Sequence, residues 1–211
     1  MKITKLGHSC LLVEMPEPVN RTALFDPGTW SKVDVESLEF LDDIFVTHVH
    51  PDHMDVDLII HLVQKFPKVH VLAPPEAAEK LVAAGVTQAG SVPPEGVRLF
   101  QAPHESVEPL GEAAQEHGIH YLETLSHPGD SHHFAETAPI LALPVVGPWG
   151  TTWNALKLAL ELKPKYVIPI HDWFWHDAAR DWHYGVFEQV LKEQGITFIK
   201  PVNGEPLVLD V

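Results

Sequence analysis

Short apolar runs, separated by clusters of Gly, Pro and Asp, recur along the whole chain. Runs of this length that are rich in Val, Ile, Leu and Phe and bounded by turn residues are typical of β-strands. The pattern predicts strands over residues 1–6, 10–15, 22–25, 44–47, 69–73, 97–102, 120–125, 140–146, 166–170, 197–199 and 206–209.

Between several of these runs, apolar residues recur at helical spacing. Val56, Ile59, Ile60 and Val63 share one face, and Gly85 ends a second such segment. Strands and helices that alternate in this way predict an α/β fold with sheets inside and helices outside, and the chain length suits one domain over residues 1–211. The segment that Gly85 ends covers residues 75–84, and two further predicted helices cover residues 152–162 and 183–194.

The segment Thr-His-Val-His-Pro-Asp-His, residues 47–53, directly follows a predicted strand. On an extended chain His48 and His50 point to the same side, whereas Asp52 and His53 lie beyond a proline that turns the chain. His and Asp are ligands that borderline divalent metals accept. A solvated polar turn is the alternative, but so many ligand-type residues in one short segment favour a metal site.

Three further ligand-type residues, His104, Asp130 and His171, stand where later predicted strands end. Strand ends at one edge of a sheet meet in space, so these residues are expected to converge. His117 and His120 are rivals of His104, but they lie in or after a polar stretch. Asp130 could instead serve a Pro-Gly-Asp turn, and His171 could be a buried core histidine.

The formal net charge of −15 argues against an electrostatic grip on nucleic acid or on an anionic membrane. Cys10 is the single cysteine, which excludes an internal disulfide and suggests a buried structural thiol. No apolar run is long enough to span a bilayer, and the first residues do not resemble a signal peptide. A cytoplasmic location is therefore expected.

In its order of motifs the chain resembles the metallo-β-lactamase superfamily of metal-dependent hydrolases. The run His-x-His-x-Asp-His begins at His48, and it is followed by His104, by Gly129-Asp130 and by Pro169-Ile170-His171. Residues 5–10 and 25–28 resemble a short bacterial branch related to the ascorbate-phosphate lactonase. One departure is Glu105-Ser106-Val107, where many relatives carry a glycine. The resemblance implies a four-layer αββα sandwich.

The same resemblance implies a site for two divalent metal ions, with zinc as the usual metal and manganese or iron as alternatives. Asp52 would also act in catalysis by orienting a metal-bound hydroxide or by moving a proton. The implied ligands are His48, His50 and His104 for the first metal, Asp52, His53 and His171 for the second, and Asp130 bridging both.

The expected activity is hydrolysis of a small ester, lactone or phosphodiester by a hydroxide bound to the two metals. A non-hydrolytic or degenerate metal-binding protein is one alternative. A redox di-iron enzyme is another, but it would need a carboxylate in place of His50. The expected partner is a small-molecule substrate, with no nucleic acid and no membrane, and association with further copies of the chain remains open.

Four further features are candidates for supporting roles. Asp26 could orient a ligand histidine through a hydrogen bond, or could simply serve the turn before Pro27. His8 could reach the edge of the site or support the turn at Gly7. The tryptophan-rich segments 148–153 and 173–175 could form an apolar wall for the substrate, or could pack in the core or in a dimer contact.

Overall fold

A computed structural model describes residues 1–109 and 111–210. The chain divides into two compact units, each built around one sheet. The first unit comprises Met1–Pro94 together with the C-terminal residues from Val202 onward, and the second comprises Glu95–Pro201.

The sheet of the first unit has seven strands in the order β13-β1-β2-β3-β4-β5-β6. The pairs β13-β1, β1-β2 and β2-β3 are antiparallel, whereas β3, β4, β5 and β6 run parallel. The carboxyl ends of β3 and β4 therefore lie at the same edge of the sheet. The bounds are β1 Lys2–Lys5, β2 Leu11–Met15, β3 Arg21–Phe25, β4 Asp43–Phe45, β5 His70–Leu72, β6 Ala89–Gly90 and β13 Pro206–Val208.

Two helices, α1 (Val56–Lys65) and α2 (Pro75–Ala83), bury their apolar residues against one face of this sheet. Ile59 of α1 and Leu81 of α2 share a core cluster with Ile44 of β4. The α1 helix begins immediately after the loop that follows β4, and the side chain of Asp55 caps it by accepting a hydrogen bond from Leu58 N at 3.1 Å.

The sheet of the second unit has six strands in the order β12-β11-β10-β9-β8-β7. Strands β9 to β12 run parallel, and β7 and β9 are both antiparallel to β8. The carboxyl ends of β7, β9, β10 and β11 thus lie at one edge. The bounds are β7 Val97–Phe100, β8 Gly118–Tyr121, β9 Leu125–His127, β10 Ile140–Pro144, β11 Tyr166–Ile170 and β12 Thr197–Phe198.

The helices of the second unit are α3 (Thr152–Leu162) and α4 (Asp177–Lys192). Leu156 of α3 and Phe187 of α4 join a core cluster with Leu143 of β10. No helix in the described part of the chain is both long enough and apolar enough to cross a bilayer.

The α/β prediction is confirmed, and the ranges of α3 and β11 are as predicted. The strand predicted over 120–125 is wrong, because a turn there separates β8 from β9. Leu122 and Glu123 adopt positive φ angles of 52° and 51°, a conformation that no glycine announces in the sequence. Helix α4 begins at Asp177, earlier than predicted, because the side chain of His176 caps it by accepting from Ala178 N.

Candidate metal centre

The predicted ligands of the first unit cluster in the loop that follows β4. The ring centroid of His48 lies 4.7 Å from that of His50 and 4.1 Å from that of His53. Asp52 Oδ2 is 3.8 Å from His53 Nε2. A turn beyond Pro51, closed by a hydrogen bond from His53 N to His50 O at 3.0 Å, brings these side chains together.

Asp26, at the end of the adjacent strand β3, holds two of these rings in place. Its fully buried carboxylate accepts hydrogen bonds from Thr47 N and Thr47 Oγ1 at 2.8 Å and from His53 Nδ1 at 2.7 Å. Because the Thr47 hydroxyl donates to Asp26, it accepts from His48 Nδ1, which lies 3.1 Å away. The metal-binding nitrogen of His48 and of His53 would therefore be Nε2. This is the orienting contact that the sequence suggested for Asp26.

Gly28 lies where the ligand loop passes closest to the segment after β3. A Cβ atom at this position would lie 1.9 Å from Asp52 O and 2.5 Å from His53 N. Thr29 N donates to Pro51 O at 2.8 Å in the same contact. Only glycine allows this approach. The Asp-Pro-Gly sequence is typical of a turn, and its glycine is also a steric requirement of the ligand loop.

His8 is buried and contacts the same cluster. Its Nε2 lies 3.2 Å from Asp52 Oδ2, and its ring meets those of Trp30 and His53 edge to face, with centroid distances of 4.9 and 5.7 Å. Of the two roles that the sequence left open for His8, the structure supports a place beside the ligand loop.

The predicted ligands of the second unit also converge, at the sheet edge where β7, β9 and β11 end. Asp130 Oδ2 lies 3.7 Å from His104 Nε2 and 3.2 Å from His171 Nε2. All three residues are buried. A carboxylate oxygen between two imidazole nitrogens is suited to a residue that shares metals with both rings.

Backbone carbonyls fix the two imidazoles of this cluster. His104 Nδ1 donates to Glu105 O at 2.6 Å, and His171 Nδ1 donates to Val146 O at 2.5 Å. The metal-binding nitrogen of each ring would again be Nε2, which is the atom that faces Asp130. Two oriented imidazoles and a buried carboxylate fit zinc and related divalent metals.

His120, a rival of His104, has a different environment. Its Nδ1 lies 2.7 Å from Ser126 Oγ, and its ring stacks on Phe100 with a centroid distance of 4.3 Å. Burial lowers the pKa of His120, so the ring is neutral near pH 7. His117, the other rival, lines a cavity with Phe100 and Pro103.

Two glutamates to which the sequence assigned no role in the site support the second cluster. Glu105 accepts hydrogen bonds from His132 N at 2.8 Å and is 3.1 Å from His133 Nε2. Glu116 accepts from Asp130 N at 2.6 Å. Both lie in or beside a polar stretch without periodicity, where no local pattern sets them apart from solvated surface acids.

Aromatic side chains surround His171. Trp149 approaches the rings of His171, His132 and His104 with centroid distances of 5.1, 5.5 and 6.3 Å, and Phe174 lies 5.7 Å from His171. The two tryptophan-rich segments thus each contribute one aromatic ring to this place. Trp153 and Trp175 do not belong to the group, because Trp153 lies half-exposed on α3 and Trp175 stacks on His183 at 4.4 Å.

The residue after His171 is anchored to helix α4. Asp172 Oδ2 accepts from Tyr184 Oη at 2.5 Å and from Arg180 Nε at 3.2 Å. Burial and the Asp172 carboxylate raise the pKa of Tyr184. His171 itself has a positive φ of 59°, a strained conformation that this anchor helps to hold.

Cys10 lies in the core cluster of the first unit, fully buried. Burial raises the pKa of its thiol, which keeps the sulfur protonated and unreactive. The predicted structural thiol is therefore confirmed.

Comparisons with known proteins show what the chain is similar to. Residues 2–171 match the family model described as the beta-lactamase superfamily domain. The curated protein Rv0786c of Mycobacterium tuberculosis is 31% identical over an alignment of 218 positions, which covers 94% of this chain and 100% of that protein.

Two solved structures show the fold. Igni18, a metallo hydrolase from the archaeon Ignicoccus hospitalis, has a TM-score of 0.71 and 21% identity, with 100% of this chain and 98% of that chain covered. An isothiocyanate hydrolase from Delia radicum gut bacteria has a TM-score of 0.68 and 16% identity, with 99% of each chain covered. The predicted fold class, an α/β fold of metallo-β-lactamase type, is confirmed.

Proposed function

Because the chain belongs to the beta-lactamase superfamily of metal-dependent hydrolases, we propose that it hydrolyses a small ester, lactone or phosphodiester at a dinuclear metal centre. The observation that carries the proposal is the position of Asp130 Oδ2 beside the Nε2 atoms of His104 and His171. Such a carboxylate suits a residue that bridges two metals.

The loop after β4 would supply the remaining ligands. Zinc is the metal that we expect, with manganese or iron as alternatives, because imidazole and carboxylate ligands suit all three. When bound, the two cations would lower the pKa of a water molecule so that hydroxide is present near neutral pH. The proposed ligands are His48, His50, Asp52, His53, His104, Asp130 and His171.

The protein's own groups would then prepare the site for hydrolysis. Asp26 and Thr47 hold the rings of His48 and His53 through their Nδ1 atoms, so Nε2 is the atom that would bind a metal. Asp52 would orient the attacking oxygen or take up its proton. His8, 3.2 Å from Asp52 Oδ2, would keep that carboxylate in position.

The net charge of −15 favours a small substrate over a long polyanion such as nucleic acid. We also propose a cytoplasmic location for the protein. Localisation of a fluorescent fusion in the source cells would test that part of the proposal.

The test of the activity uses the purified chain reconstituted with zinc, manganese or iron. We expect close to two metal ions per chain by elemental analysis and turnover of members of a panel of lactones, p-nitrophenyl esters and bis-p-nitrophenyl phosphate. His50→Ala removes one ligand, so it should lower metal content and reduce turnover by a factor of about 100 or more.

The matched control is His61→Ala, which removes an exposed imidazole on α1. This variant should keep metal content and turnover. Less than one metal ion per chain after reconstitution, or an unchanged metal content in His50→Ala, would contradict the dinuclear centre. Full metal content without turnover of any panel member would contradict the hydrolase.

A further inference from the structure

Trp149 lies directly against the two imidazoles that flank Asp130. Its ring centroid is 5.1 Å from that of His171 and 6.3 Å from that of His104. Phe174, on the segment after β11, approaches His171 from its own position at 5.7 Å. We call Trp149 and Phe174 the aromatic wall.

The indole of Trp149 is held by a turn that is shaped for it. Gly147 N donates to Gly150 O at 3.2 Å and Gly150 N donates to Gly147 O at 3.3 Å. A Cβ atom at Gly147 would lie 2.5 Å from the indole, and one at Gly150 would lie 3.0 Å from the ring of His132. Both glycines thus allow a close fit, which argues that the ring position is specific.

Part of the aromatic wall faces solvent. Phe174 is 48% exposed and Trp149 is half-buried, although both adjoin nearly buried histidines. When an apolar ligand group covers exposed aromatic surface beside a binding site, the free energy of the complex falls. A substrate with a flat or branched apolar group would provide that cover.

Away from the metal ions that the site would hold, carboxylates near the wall disfavour an anionic group on the part of the substrate that packs there. Glu105, whose side chain is only 12% exposed, and Glu116 place carboxylates beside Asp130 and His132. The guanidinium of Arg180 is already engaged by carboxylates of its own segment, since it bonds Asp172 and Asp177. An uncharged group avoids repulsion from these carboxylates.

We propose that the substrate is an uncharged carboxylic ester or lactone whose apolar acyl group packs on the aromatic wall; this rests on the proposed hydrolase function. In the reaction the oxygen of water bonds to the carbonyl carbon, the bond from that carbon to the leaving oxygen breaks, and a proton passes to the leaving oxygen. Trp149 and Phe174 determine specificity by contacting the acyl group.

The test compares p-nitrophenyl acetate, p-nitrophenyl phenylacetate and p-nitrophenyl 4-carboxyphenylacetate with the zinc-loaded chain, each rate being divided by the rate of hydrolysis by hydroxide alone. We expect kcat/KM for the phenylacetate to exceed kcat/KM for the acetate by about tenfold or more, because the phenyl group is buried on the wall. We expect a difference of the same size between the phenylacetate and the anionic ester.

Trp149→Ala should lower kcat/KM for the phenylacetate by about tenfold more than it lowers kcat/KM for the acetate, because only the larger acyl group reaches the indole. Trp149→Phe should keep most of the preference. The matched control is Trp153→Ala, which removes a tryptophan that is 50% exposed on α3 and should change neither rate.

Binding gives a second measurement that does not depend on turnover. Phenylacetone, an uncharged ketone without a scissile bond, should change the tryptophan fluorescence of the zinc-loaded wild type and of Trp153→Ala. It should change that of Trp149→Phe much less.

Equal normalised rates for the acetate and phenylacetate esters would overturn the inference, and so would preferred turnover of the anionic ester or of bis-p-nitrophenyl phosphate. An equal loss on all esters in Trp149→Ala would also overturn it, since Trp149 would then support the metal site alone. The hydrolase proposal would survive each of these results. It fails separately if the fully metal-loaded wild type turns over no ester, lactone or phosphodiester.

Discussion

At the scale of single residues, the candidate site depends on which nitrogen of each imidazole is engaged by the protein. Asp26 binds Nδ1 of His53, and carbonyl oxygens bind Nδ1 of His104 and His171. A histidine that is fixed in this way loses little rotational freedom when it binds a metal, so the site is organised in advance. Asp26 holds the most of these contacts and is the most informative residue to change.

Asp26→Asn should weaken metal binding by about 10- to 100-fold, because the amide has one acceptor oxygen where Thr47 and His53 present donors to two. Competition with a chromophoric chelator measures the affinity. Asp42→Asn is the control, since this exposed carboxylate accepts only from Thr22 N in the described contacts. Equal affinity of Asp26→Asn and wild type for zinc would disprove the orienting role.

At the scale of elements, strand direction explains why ligand-type residues far apart in the sequence meet. β7, β9 and β11 run the same way, so the residues that follow them, His104, Asp130 and His171, reach one edge of the second sheet. The hairpin of β8 and β9 also carries His120, packed on Phe100 in the interior. Through that ring we expect the stability of the second unit to depend on pH.

Because burial lowers the pKa of His120 below its usual value of about 6.5, the unfolded chain binds the proton at a higher pH than the folded chain does. The contribution of His120 to stability is thus complete above pH 6.5 and is lost as the pH falls towards the folded pKa. In urea unfolding with EDTA between pH 7.5 and 5.5, His120→Gln should lose less stability than wild type. His61→Gln, at an exposed position, should lose as much as wild type.

The sequence alone predicts many of these strands and helices. Apolar runs predicted the strands that deliver His48, His104 and His171, because burial imposes a composition that local pattern reveals. The turn between β8 and β9 was missed, since Leu122 and Glu123 take a left-handed conformation that tertiary packing imposes on residues with no preference for it. The support from Glu105 was missed for the same kind of reason, as its partners lie far along the chain.

At the scale of the whole molecule, the proposed ligands are spread from His48 to His171 within the matched family region, which spans residues 2–171. Metal binding to the folded state alone stabilises it, by about 2.7 kcal/mol when free metal exceeds the dissociation constant 100-fold. Fold and metal content are therefore thermodynamically linked.

Removal of metal by EDTA should lower the melting temperature by roughly 5 to 10 °C for a chain of this size, and zinc should restore it. Differential scanning calorimetry with and without zinc measures the shift. In His50→Ala the shift should shrink markedly. A melting temperature that is the same in EDTA and in zinc would mean that the folded chain holds no tightly bound metal.

The sequence by itself determined the fold class, the family and the ligand-type residues, because periodicity, turn chemistry and the spacing of His and Asp are local properties. Only the tertiary structure decided that Asp26 and Thr47 orient the ligand loop, that His120 packs in the interior while His104 meets Asp130, and that Trp149 adjoins the same cluster. These contacts join residues from different strands, and no local pattern encodes such distances.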